Sequence, residues 1–367
     1  MRRFVSALLT ITLLAAVAIA QQGKPETPSW SVPDDAKFTA EDVSITRNVE
    51  TNDGEAEFKI AGTVRIPTGQ RPEGGFPAVL FISGSGSQTR HGFQGNLDIG
   101  SWELLDAVAN AGFVVLATDD RGIGETPLGI EGKKPEDLGY LDLVGDAQAA
   151  LDYLNSREEV NTAKVFLIGH SEGGLTAPIL AGDNPKVAGV VFMAAAGRNM
   201  YDITLQQVEE AMASQPRAQR ENNLKAQREF QDAVKENREP DFNLLGKAAA
   251  PVLKQTWKAS VLPIRKWWHE HFNLDVPAIH SKLTCPVFVT NGKSDFQVSP
   301  ERDAKQIVKD LMEGKCDDVT MKIYDDLDHL FKPCNGRKSE LKIYFEDRRV
   351  SPEFIKDVVE WLTAIAS

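Results

Sequence analysis

Beyond residue 77 the chain alternates between two hydrophobic patterns. Short apolar runs occupy residues 78–82, 113–117, 165–168, 187–194 and 286–290, and residues 319–324 complete the series of strands. Between them lie stretches whose apolar positions recur every three or four residues: 102–111, stopped by Gly112, then 140–155, 175–181 and 352–364. A short continuous run is a strand buried on both faces, and the second pattern is an amphipathic helix. Their alternation predicts an α/β fold, a mostly parallel central sheet with helices on both faces. Two earlier segments, 43–47 and 58–66, read as strands joined through the polar turn Asn52-Asp53-Gly54. They predict an antiparallel hairpin at one edge of the sheet.

The rhythm fails between Arg198 and His280. That segment is polar and helix-forming, and its second half gathers Trp257, Trp267, Trp268 and Phe272. It predicts a helical cap, residues 198–280, inserted into a domain made of 38–197 and 281–367. The aromatics are expected to pack the cap onto the sheet rather than to meet a ligand. At the other end, Arg2 and Arg3 precede an apolar stretch and the small-residue site Ala18-Ile19-Ala20. Residues 1–20 therefore read as a cleaved secretory signal, and the protein as exported to the periplasm or the medium. Residues 21–37, rich in Pro, Ser and charge, read as a flexible leader. No later segment approaches the length of a membrane span, so no stable insertion is expected after cleavage.

The formal net charge is −12, and −14 once the two N-terminal arginines are removed. Nucleic acid and anionic membrane both need a positive face, so neither is an expected partner. Of the three cysteines, Cys316 and Cys334 flank the segment that carries His329, and Cys285 stands just before an apolar run. Export permits a Cys316–Cys334 bridge, and three free thiols are the equal alternative. No Cys/His cluster has metal-ligand spacing, and no cofactor is implied. The oligomeric state is left open.

The chemistry concentrates in Gly169-His170-Ser171-Glu172-Gly173-Gly174, which follows an apolar run and opens a helical one. A serine on a tight strand-to-helix corner is held in a strained conformation with its Oγ clear of the chain. Side chains at 169 and 173 would collide across that corner, hence the glycines. A serine hydroxyl needs a base, and the base needs a group that orients it. Asp295 lies in the loop after the run 286–290, at the same sheet edge as the corner. His329 follows the last strand and is the only histidine after Asp295. Asp325, Asp326 and Asp328 are also within its reach, and read as a solvated loop face. His170 is expected to point away from the serine. Anion-stabilising N–H groups are expected from Glu172, next to the serine, and from the small-residue loop Ser83-Gly84-Ser85-Gly86. There Ser85 is the first candidate and Gly86 the second.

These motifs, with Asp120-Arg121-Gly122-Ile123-Gly124, Gly292-x-x-Asp295-x-x-Val298 and Asp328-His329, resemble those of α/β-hydrolases. With the leading hairpin and the Trp-rich end of the cap, the chain is most similar to bacterial carboxylesterases of the EstD type. That group stands near the dienelactone-hydrolase-like and serine-aminopeptidase-like groups. The resemblance spans about residues 38–366. It implies a serine esterase acting on small esters of short acyl chains, with Ser171, Asp295 and His329 as catalytic triad. A peptidase or acyl-thioesterase with the same triad is the alternative, and a non-catalytic binding protein of this fold a more remote one. Two positions depart from the family: Ser87-Gln88-Thr89-Arg90 replaces a Pro-x-Asp-Arg pattern, and Glu125-Thr126 stands where a serine is usual. Arg121 is expected to make a structural ion pair.

Overall fold

The computed structural model describes residues 29–51, 54–130, 133–314 and 316–367. The expected secretory segment, residues 21–28 of the leader, and Asn52 and Asp53 of the hairpin turn lie outside the described residues. Eight strands form one sheet: β1 (Phe38–Thr51), β2 (Gly54–Pro67), β3 (Phe76–Ile82), β4 (Val114–Thr118), β5 (Val160–His170), β6 (Val187–Met193), β7 (Val287–Gly292) and β8 (Val319–Tyr324). Their spatial order is β1-β2-β4-β3-β5-β6-β7-β8. From β4 to β8 all neighbours are parallel. β2 runs antiparallel to both β1 and β4, so the expected edge hairpin is present.

Alternate residues of each parallel strand serve two cores, because successive side chains leave opposite faces. Leu80, Leu116, Leu167 and Phe192 meet Leu151 and Leu154 of α2 (Tyr140–Ser156) and Leu180 of α3 (Gly173–Asp183) on one face. Val79, Phe81, Phe166 and Val191 meet Leu104 and Val108 of α1 (Ser101–Asn110) on the other. Phe354, Val358 and Leu362 of α10 (Pro352–Ala366) complete that second core.

Between β6 and β7 the chain is helical, as its polar, strand-poor sequence suggests. It forms α4 (Met200–Ala211), α5 (Arg217–Lys235), α6 (Ala250–Thr256), α7 (Arg265–Phe272) and the short α8 (Val276–His280). α9 (Lys305–Glu313) follows β7. The inserted helices have a small core of their own, which gathers Phe230, Val234, Leu253, Trp257 and Phe272. Trp267 and Trp268 differ from the packing expectation, since both also face the cavity described below. No described helix is long and apolar enough to cross a membrane.

The last residues of the expected leader are docked. Trp30 donates from its indole N–H to Asp106 at 3.0 Å, stacks on His91, and lies under the guanidinium of Arg65. A hydrophobic side chain amid turn residues gave too weak a signal for this anchor.

All three cysteines are free. Cys316 precedes β8 and donates its thiol hydrogen to the Cys285 carbonyl, while Cys334 lies beyond the far end of β8. Six extended residues cover roughly 20 Å, far more than a disulfide spans. The flanking of His329 in sequence is therefore no proximity in space.

Candidate active site

Strand order decides where the site forms. From β3 the chain passes outward to β4, then crosses back to β5 on the other side of β3. Loops leaving β3 and β5 part in opposite directions and open a crevice at the strands' carboxyl ends. The loop after β3 is Ser83 to Gln88, and the first residue after β5 is Ser171.

Ser171 has φ 53°, in the left-handed region that a residue with a side chain rarely enters. Its N–H donates to the Met193 carbonyl at 2.9 Å and its carbonyl accepts from Gly174 at 3.0 Å, which fixes the corner. A side chain at Gly169 would collide with the Gly173 carbonyl, and one at Gly173 with the carbonyls of Ile82 and Ser83. Both glycines are therefore required by backbone contact. Across the crevice, a Cβ on Gly84 would stand 2.9 Å from the Ser171 Cβ, so the Gly/Ser loop presses directly on the serine.

Asp295 and His329 meet. The Nδ1–H of His329 donates to Asp295 Oδ2 at 2.7 Å, with both side chains almost wholly buried. The other carboxylate oxygen, Oδ1, accepts from the backbone N–H groups of Gln297 and Val298 at 2.8 and 3.0 Å. With Nδ1 protonated, Nε2 of a neutral His329 is left as an acceptor. Ser171 and His329 line one cavity of about 570 Å³, together with Ser85, Gly86 and Glu172. Its walls are mostly apolar: Leu97, Leu330 and Leu341 on one side, and Met200, Ile203, Ile264 and Trp267 from the inserted helices on another.

Asp120 anchors the Gly/Ser loop. It accepts from Ser83 Oγ at 2.7 Å and from the Gln88 N–H at 2.8 Å. Burial pushes its carboxyl up to about 7, despite those two hydrogen bonds, and the nearby Glu172 and Asp119 charges add to the rise. Arg90, the residue of the segment 87–90 that keeps the family pattern, pairs with Asp119 at 2.8 Å and Glu125 at 2.6 Å. Arg121 makes the expected ion pair, two-pronged on Asp146, with its guanidinium over the Phe58 ring.

The acids around His329 differ from a solvated face. Asp325 is exposed and pairs with Lys293. Asp326 accepts from the N–H groups of Asn335 and Gly336. Asp328 is fully buried: it accepts from the backbone of Leu330 and Lys332 and from Arg348 at 2.7 Å. None of the three takes the place of Asp295. Their crowding in sequence resembled a polar surface because the partner of Asp328 lies twenty residues downstream.

His170 does more than point away. Its Nε2–H donates to the His329 carbonyl at 3.0 Å and its ring lies 4.9 Å from that of His329. Its buried Nδ1 has no hydrogen-bond partner among the described residues. Burial, then the neighbouring His329, hold its pKa down to about 3. Pattern reading has no signal for such a contact, since both flanks of the serine are variable positions in the motif.

A sheet covered on both faces, a serine on a strained corner at the switch point and an aspartate–imidazole pair at the same rim define an α/β-hydrolase. A family model described as serine aminopeptidase S33 (Hydrolase_4) matches residues 91–331, and the chain belongs to that family. Esterase EstD of Thermotoga maritima is 24% identical over 307 residues, which cover 83% of this chain and 65% of that protein. The protein YfhR of Salmonella typhimurium is 33% identical over 30% of this chain and 32% of its own length. The chain thus spans less than two thirds of these relatives. Among solved structures, an esterase of Pyrococcus furiosus aligns with a TM-score of 0.55 at 16% identity, covering 94% of this chain and 97% of that one. An acetyl xylan esterase of Paenibacillus sp. R4 aligns at 0.52 with 18% identity, over 98% and 94%. These two likenesses concern the fold.

Proposed function

We propose that this protein is a serine hydrolase that cleaves small carboxylic esters through an acyl-enzyme. The observation that carries the reading is the buried Asp295–His329 hydrogen bond facing the same cavity as the strained Ser171. His329 takes the Ser171 proton as Oγ attacks the ester carbonyl. Asp295 holds the imidazole with Nδ1 protonated and steadies its cationic form. The N–H groups of Glu172 and Ser85, with Gly86 adjacent, receive the developing oxyanion. His329 then protonates the leaving alcohol, and water cleaves the acyl-enzyme by the same route. The mostly apolar cavity supports an uncharged acyl group, and short acyl chains are what the resemblance to EstD-type carboxylesterases implies. The resemblance to EstD supports an ester over an amide.

Ser171→Ala tests the assignment. It is expected to lower kcat on p-nitrophenyl acetate by about 10⁶-fold, as loss of a triad nucleophile does, and to abolish labelling by a fluorophosphonate probe. Native turnover by the alanine variant would end the proposal. Parallel assays on acyl-thioesters and aminoacyl-naphthylamides decide the reaction class, and faster turnover of the latter would make it an aminopeptidase. Export rests on residues 1–20. N-terminal sequencing of protein recovered from outside the cytoplasm is expected to begin at Gln21, and an intact Met1 there would refute cleavage.

A further inference from the structure

The residue after the nucleophile is tied to the inserted helices through its side chain. Glu172 is buried, and its Oε1 accepts two hydrogen bonds from α7: one from Trp267 Nε1 at 3.0 Å and one from His271 Nε2 at 2.7 Å. His271 is fully enclosed. Its ring lies 3.9 Å from that of Tyr140, the first residue of α2, and 4.3 Å edge-on from Trp267. Tyr140 in turn shares a hydrogen bond with Thr176 of α3, the helix that starts at the nucleophile corner. Two further contacts fasten α7 to the start of α2. Glu270 accepts from the Leu141 N–H at 2.7 Å, and Lys266 donates to the Asp137 carbonyl at 2.9 Å. One turn after another of α7 is therefore bound to the sheet domain, unlike a lid resting on an apolar surface.

We propose that Trp267 and His271 are positioning residues for the oxyanion donor, and that α7 is a fixed part of the catalytic frame. The inference rests on the serine-hydrolase reading and extends it to the cap. An oxyanion donor works by geometry. The Glu172 N–H must point at the place where charge develops, without reorganisation at the moment of reaction. Its direction follows the peptide plane between Ser171 and Glu172, and Ser171 already holds a strained φ. A strained corner relaxes when the surrounding structure ceases to over-determine it. The Glu172 carboxylate, gripped by two N–H donors of α7, supplies that determination. A carboxylate that accepts charge-assisted bonds in a buried site is held more firmly than a neutral acceptor. Losing one donor lets the peptide plane swing, which weakens a bond made chiefly in the transition state.

The test compares Trp267→Phe, His271→Phe and His271→Gln with the parent. Both phenylalanine variants keep a ring and lose the donor. Glutamine offers an amide N–H where His271 Nε2 stood. Expected for each phenylalanine variant is a fall in kcat of about tenfold, a fraction of the roughly 10²–10³ that removal of an oxyanion donor costs. KM should change by less than twofold, and affinity for a trifluoromethyl ketone, which forms the oxyanion on Ser171, should fall by the same factor as kcat/KM. His271→Gln should recover activity to within threefold of the parent. The proposal is overturned if kcat stays within twofold of the parent in the phenylalanine variants. It is equally overturned if the loss appears in KM with ketone affinity intact, or if glutamine fares no better than phenylalanine. Should His271→Phe not fold, Trp267→Phe decides on the same readouts. Failure of the underlying reading is visible separately, as absence of fluorophosphonate labelling on the parent.

Discussion

Ser171 and Phe331 both occupy the left-handed region of backbone space, at φ 53° and 56°, yet the two loops that carry them are held by different means. The serine corner is closed by main chain, from the corner itself and from Ile82, Ser83 and Met193 at the ends of the adjoining strands. Glycines at 169 and 173 admit backbone at contact distance, and the Ser171 N–H and carbonyl are both used by main-chain hydrogen bonds. The histidine loop is closed from afar. Asp328 is gripped by Arg348, the Phe331 carbonyl accepts from Ser351, the Phe331 ring stacks on Phe354 at 3.9 Å, and His170 holds the His329 carbonyl. The glycines of the serine corner are legible in six consecutive residues, whereas the side-chain anchors of the histidine loop come from several elements.

Asp295→Asn should give the largest effect. An amide at 295 can stabilise the wrong tautomer of His329, so kcat is expected to fall by about 10⁴-fold with the fold intact. A loss below tenfold would point to another acid. Next is Arg348→Met, which leaves Asp328 buried without its partner. Breaking a buried pair from one side costs about 3–5 kcal/mol, read as a lower denaturant midpoint. Activity should fall too, because the loop bearing His329 loosens. Unchanged stability would mean that the loop does not depend on that remote anchor. Gly173→Ala attacks the other loop locally and is expected to cost about 3 kcal/mol by overpacking against main chain. Tolerance at 173 would remove the claim that the corner is closed by backbone contact.

The last test sharpens the link between the two loops, and its effect near neutral pH is small. His170→Gln keeps an N–H toward the His329 carbonyl and removes the titration. The folded-state pKa of His170 is depressed to about 3, below the ordinary 6.5. Between those values the unfolded chain binds more protons, so His170 favours folding above pH 6.5 and this contribution is lost as pH falls towards 3. Relative to the glutamine variant, the parent should lose stability on acidification with a slope approaching about 1.4 kcal/mol per pH unit. Parallel stability profiles of the two proteins would show that His170 is not held neutral.

The periodicity of the chain determined the layers, the parallel strands and the edge hairpin, because burial on two faces forces apolar runs and burial on one forces a helical stripe. Six local residues determined the corner, because tight backbone contact admits only glycine at 169 and 173. Chain order and sheet edge were enough to pair Asp295 with His329. Tertiary structure alone decided the rest: that Cys316 and Cys334 lie apart, that Asp328 is sunk onto Arg348, that Trp30 is docked, and that His170 and Glu172 tie the serine to the histidine loop and to α7. Each depends on a partner far along the chain, and a hydrogen bond at such separation leaves no periodic trace in the order of residues.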